Sequence, residues 1–119
     1  MPSLAAGAEY RRCRGWLLPA LLEDSEEDLI AELEAGRAQL WPCERSAFVT
    51  QLLQADEPLV HIWLAGGDLA ELVSMVPGLS AWGRAQGARA LGLHGRRGWA
   101  RALQAAGFVS VGAELRKGL

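Results

Sequence analysis

The chain has 119 residues, half of them hydrophobic and 22% charged, which fits one domain with a core and excludes a disordered tail. Its formal net charge of −2 and pI near 5.7 argue against a general nucleic-acid binder. Only two cysteines are present, Cys13 and Cys43, which excludes a disulfide-dense scaffold and a four-cysteine zinc site and makes a reducing cytosol the expected compartment. No apolar run approaches the roughly 18 residues needed to span a bilayer, so no membrane partner is expected.

At the start, Arg11, Arg12 and Arg14 precede a short apolar run, 15–22, that leads straight into acidic residues rather than into a cleavage site. That pattern reads as part of the fold and not a leader, with residues 1–15 expected as a loosely ordered arm. Ser25, with Asp28 three residues on, has the spacing of a capping box. Glu26 and Glu27 in the first turn suit the helix dipole, and Leu29, Ile30 and Leu33 form one stripe, so 26–35 is expected to be a helix closed by Gly36. Extended segments follow at 38–41, 46–53 and 59–65, separated by turns at 42–44 and 55–58. The third, LVHIWLA, is apolar enough for a central strand covered on both faces. Two antiparallel hairpins with the third strand innermost are expected, ended by Gly66 and Gly67.

Asp68 is placed to cap a helix in which Leu69, Leu72, Val73 and Val76 share a face. Pro77 and Gly78 predict a kink or break there, with helix resuming through 82–86. A short strand at 90–93 precedes a helix carrying Trp99, Ala102, Leu103 and Ala106 at i, i+3, i+4 and i+7, capped by Gly107. A single last strand is expected at 108–115. The order strand, helix, strand, helix, strand in the second half implies a crossover and a locally parallel pair inside a mixed sheet, so the fold class is a single α/β domain spanning 1–119.

The charges are segregated. Seven acids lie within 23–34 with no base among them, whereas 72–113 holds no acid and five arginines, at 84, 89, 96, 97 and 101. This cationic half suits a small phosphate-bearing ligand better than a long polyanion; the alternative is that its arginines pair with the acidic helix in space. His94, Arg96 and Arg97 form the densest polar group, at the start of the last helix, where arginines and free amides together would hold a phosphate or carboxylate. His61, on the same face of the third strand as Trp63, is the candidate general base, with a core histidine as the plainer alternative. Glu44 and Glu57 lie in turns and read as solvated carboxylates. Of the tryptophans, Trp41, Trp63, Trp82 and Trp99 are expected to pack layers together, with Trp16 unassigned. There is no Ser/His/Asp set, zinc spacing or Walker loop.

The segment GLHGRRGWARALQAAGF, a helix ending in Ala106, Gly107 and Phe108 before a strand, resembles the C-terminal motif of the GNAT acyl-CoA-dependent N-acyltransferases. Together with QLWPCERSAFVTQLL and HIWLAGGDLAEL it is similar to small GNAT-like proteins of tailed bacteriophages and prophages, over residues 25–119. The resemblance implies a GNAT-type domain in which acyl-CoA, acetyl-CoA for instance, lies between two splayed parallel strands, here 59–65 and 90–93. Its pyrophosphate would then lie on the amides of Gly66, Gly67, Asp68 and Leu69. Two departures from the family pattern accompany it. GGDLAEL stands where a Gln or Arg with two spaced glycines is usual, and Leu103 stands where many members carry a proton-donating tyrosine; the chain's one tyrosine is Tyr10. The implied function is an acyl-CoA-dependent N-acetyltransferase in a bacterial host cell. The alternative is a non-catalytic protein of the same fold, virion-associated or bound to a phage or host protein, and a homodimer is compatible with either.

Overall fold

The computed structural model describes residues 7–54, 56–94 and 99–119. One mixed sheet forms the middle layer: β1 (Ala38–Pro42), β2 (Ser46–Leu53), β3 (Leu59–Gly67), β4 (Ala90–Leu93), β5 (Val109–Val111) and β6 (Glu114–Gly118), in the order β1-β2-β3-β4-β6-β5. The pairs β1/β2, β2/β3, β4/β6 and β5/β6 are antiparallel, and β3/β4 is parallel. The α/β class, the two leading hairpins and the parallel pair therefore stand as the sequence predicts.

Helices cover the two faces separately. On one, α1 (Gly7–Leu17) and α2 (Glu26–Glu34) bury Cys13, Leu17 and Leu29 against Leu40, Val49 and Leu64. On the other, α3 (Leu69–Ser74), α4 (Val76–Ala85) and α5 (Trp99–Ala105) bury Leu72, Leu79 and Leu103 against Val60, Ile62 and Leu91. Each fully buried leucine of these stripes contributes about 1.5–3 kcal/mol. No helix among the described residues is long and apolar enough to cross a membrane.

The N-terminal region departs from expectation. Residues 7–15, expected in a loose arm, lie in α1, where Tyr10, Cys13 and Leu17 at i, i+3 and i+7 face the core. Three exposed arginines hide that stripe in the sequence. Residues 1–6 of the expected arm lie outside the described residues. The α1 helix is pinned to α2 at Glu26, which accepts hydrogen bonds from the Tyr10 hydroxyl at 2.8 Å and from Arg14 at 2.7 and 2.8 Å.

The capping box of α2 forms as predicted, Ser25 accepting from the Asp28 amide and Asp28 from the Ser25 amide. The break expected at Pro77 occurs two residues earlier, at Met75. Pro77 then lies at the second position of α4, where a missing N–H costs no intrahelical bond. The expected last strand is two strands, since Gly112, at φ +63, turns the chain between β5 and β6. Gly66 and Gly67 do not follow β3 but are its last two residues, paired with Ala47 and Ser46.

Candidate functional site

The parallel pairing of β3 with β4 is short. It runs from Leu59↔Ala90 to Ile62↔Leu93, whereas β3 itself extends to Gly67. At the same point β3 carries a surplus residue. Val49 faces Leu64 while Thr50 faces Ile62, so Trp63 forms a β-bulge. The bulge reverses side-chain parity: Val60 and Ile62 belong to the core under α3–α5, and Leu64 to the core under α1 and α2. The bulge and the end of the β3/β4 register thus fall at one level of the sheet, and an opening lies there.

A cleft of about 420 Å³ occupies the opening. Its floor is His61, Ile62 and Ala65 of β3 with Leu93 of β4. Trp63 and Trp99 form walls, and the segment from Pro19 to Asp24, after α1, forms the rim. Leu22 on that rim is 90% exposed, and Glu23 and Asp24 beside it are exposed acids.

The structure brings together two histidines that the sequence separates. His61 pairs with Gly92, so the chain leaving β4 carries His94 to its side, and the two rings meet edge to face with centroids 6.0 Å apart. Burial pushes the His61 pKa below 6.5, and the neighbouring His94 lowers it further against the opposing pull of Glu114. His61 is thus neutral near pH 7, with a ring nitrogen able to accept a proton. Glu114 is held by Arg116 at 3.0 Å. No group of three or more metal-ligating side chains occurs among the described residues.

The proposed cradle at Gly66, Gly67, Asp68 and Leu69 is filled by the protein itself. A Cβ on Gly66 would overlap the Trp16 carbonyl oxygen, and one on Gly67 the backbone of Arg45 and Ser46, so these glycines admit other backbone segments. Asp68 caps α3 by accepting from the Glu71 amide at 3.1 Å, and Arg45 pairs with it at 3.4 Å. Glu71 in turn accepts from the Arg45 amide at 2.8 Å and from the Ser46 hydroxyl, closing the corner between α3 and the β1–β2 turn. Leu69 begins a helix of six residues. A pyrophosphate would meet two carboxylates at this helix start, both held below their usual range by those hydrogen bonds.

His94 lies in the cleft, exposed. Arg96 and Arg97, expected with it as an anion site, lie outside the described residues. Leu103, where the resemblance would have a tyrosine, is 4% exposed and packs into the core under α3–α5. Comparison with protein-family models and with curated proteins finds no match.

Two of the tryptophans expected in the layers are walls of the cleft, and sequence reasoning missed them as site residues. Trp63 and Trp99 are half-buried there, whereas Trp41 is 5% exposed, donates to Thr50 at 2.9 Å and packs edge-on to Trp82. The usable signal was the parallel register: with 61 opposite 92, residues 63 and 94 must leave the paired region together. Trp16 packs beside the α1/α2 core, with the Arg12 guanidinium over its ring at 5.7 Å. The acidic helix finds its ion-pair partners in Arg14 and Arg37, so the C-terminal arginines among the described residues do not neutralise it.

Proposed function

We infer that the chain is an acyl-CoA-dependent N-acyltransferase of the GNAT type. One observation carries the reading: a parallel strand pair whose register ends at Ile62 and Leu93 beside a cleft lined by a neutral imidazole. The strand order, three antiparallel strands followed by a parallel fourth and an antiparallel hairpin, supports the same family resemblance.

The residues fit part of the cofactor. The apolar surfaces of Ala65, Leu93 and Trp99 suit an acyl-pantetheine arm. The start of α3 does not suit the pyrophosphate, because Asp68 and Glu71 already take its place. A bound acyl-CoA supplies an activated thioester. In this reading His61 accepts the proton of an acceptor amine, with His94 exposed beside it. Trp63 and Trp99 keep bulk water from the floor. The compartment consistent with this use of acyl-CoA is the bacterial cytoplasm.

A second reading, a non-catalytic protein of this fold that binds a phage or host protein, is favoured by the self-filled start of α3 and by Leu103 buried where a proton donor would be needed. Calorimetric titration with acetyl-CoA separates the two. Saturable binding, weakened by tryptophan replacement at Trp99 and competed by free CoA, is expected for the enzyme. No heat and no thermal shift at millimolar acetyl-CoA would remove it and leave the second reading.

A further inference from the structure

A second cavity, of about 410 Å³, opens on the α4 side of the sheet and shares no lining residue with the cleft. Val76, Pro77 and Ala106 give it apolar walls, and Ser80, Arg84 and Lys117 line it as well. Val76, Ser80 and Arg84 recur at i, i+4 and i+8, one face of α4. Ser80 is 2% exposed and its Oγ has no hydrogen-bond partner among the described residues. Native structures seldom leave a buried hydroxyl unpaired, because its lost hydration is uncompensated.

Among the described residues, neither Arg84 nor Lys117 takes part in an ion pair, and Arg84 lies in the acid-free stretch 72–113. The Lys117 stem lies along Gly107, where a Cβ would come within 3.1 Å of Cε, so the side chain is laid against the protein at the cavity. A hydroxyl-bearing, a guanidinium and an ammonium side chain thus line one cavity together with apolar residues.

We propose that this cavity binds a small amphipathic anion, a carboxylate on a short unbranched apolar tail. The carboxylate accepts from Ser80 Oγ and pairs with Arg84 and Lys117, while the tail lies on Val76, Pro77 and Ala106. The site stands independently of acyl transfer in the cleft.

Titration of the labelled protein followed by amide chemical shifts tests it, with octanoate, acetate and octylamine as probes. Octanoate is expected to bind saturably and to shift the amides of Ser80, Arg84 and Lys117. Acetate, with the head but no tail, and octylamine, with the tail but the wrong charge, bind at least about tenfold more weakly. Ser80→Ala weakens octanoate several-fold, and the double variant Arg84→Gln/Lys117→Gln about tenfold or more. If the double variant does not fold, the wild-type affinity still decides, falling between about 50 and about 500 mM salt. Absence of saturable shifts, octylamine binding as tightly as octanoate, or an affinity indifferent to salt and to these substitutions would overturn the proposal.

Discussion

His61 and His94 meet edge to face across the end of a parallel strand pair, 6.0 Å between ring centroids. Two imidazoles at this separation disfavour a second positive charge, and burial of His61 disfavours the first. His94→Asn therefore raises the His61 pKa while leaving it below 6.5, because burial is the larger cause and persists. Histidine ring resonances followed against pH measure this; an unmoved His61 titration would show that the pair is not coupled.

The same shift sets an acid limit on stability. In the unfolded chain His61 takes up its proton as pH falls through about 6.5, before the folded chain does. The folded state therefore loses stability from that point downward until the lower folded pKa is passed. Urea melts between about pH 5 and 7.5, wild type against His61→Gln, are expected to diverge with the wild type falling more steeply toward acid.

Tyr10, as the chain's one tyrosine, reports on its own contacts without ambiguity. Burial, followed by the hydrogen bond to Glu26, pushes its pKa up to about 12, and Arg14 and Tyr10 hold Glu26 down at about 2. Glu26→Gln is expected to lower the Tyr10 pKa without returning it to 10.0, since burial remains. Tyrosinate absorbance near 295 nm reads the change directly. The two shifts bound the stability they confer in opposite directions: the tyrosine contribution fades as pH rises from about 10 to 12, the carboxylate contribution as pH falls from 4.5 through about 2.

Two glycines give opposite outcomes when replaced by alanine. At Gly66 the new methyl would overlap the Trp16 main chain, which cannot swing aside as a side chain does, so Gly66→Ala costs about 3 kcal/mol or more. Gly78 lies within α4 with open space around its Cβ position, and Gly78→Ala stabilises by about 0.5–1 kcal/mol. Thermal melts of the two variants should shift in opposite senses.

Ser80→Ala should separate stability from binding. Removing an unpaired buried hydroxyl raises stability by about 1 kcal/mol, whereas the same change weakens octanoate. A destabilised variant would mean that the hydroxyl already has a partner in the folded protein.

The fold was legible wherever local chemistry and tertiary packing agree. Ser25 and Asp28 announced α2, the run from Leu59 announced the central strand, and Asp68 announced α3. The α1 helix was not legible, because its Tyr10, Cys13 and Leu17 stripe is interrupted by arginines and gains its stability from Glu26 and from the sheet. The cleft was legible only in part. His61 was visible as an odd residue in an apolar strand with Trp63 on its face, but its proximity to His94 depends on the parallel register. Gly66 and Gly67 misled in a specific way: two glycines before a helix cap look the same whether the space above them admits a ligand or another stretch of main chain.

Strand β3 belongs to two assemblies at once. With β1, β2, α1 and α2 it closes one core from neighbouring stretches of sequence, while its contact with β4 spans the whole length of α3 and α4. Short-range pairings form with less loss of chain entropy than long-range ones, so the N-terminal half is the part that can assemble early and the β3–β4 junction the part that completes the sheet. The cleft lies at that junction, which makes ligand competence the final event of folding. Pulse-labelled hydrogen exchange should find the β2–β3 amides protected before those of β4 and β6, and a refolding chain blind to ligand until the latter appear.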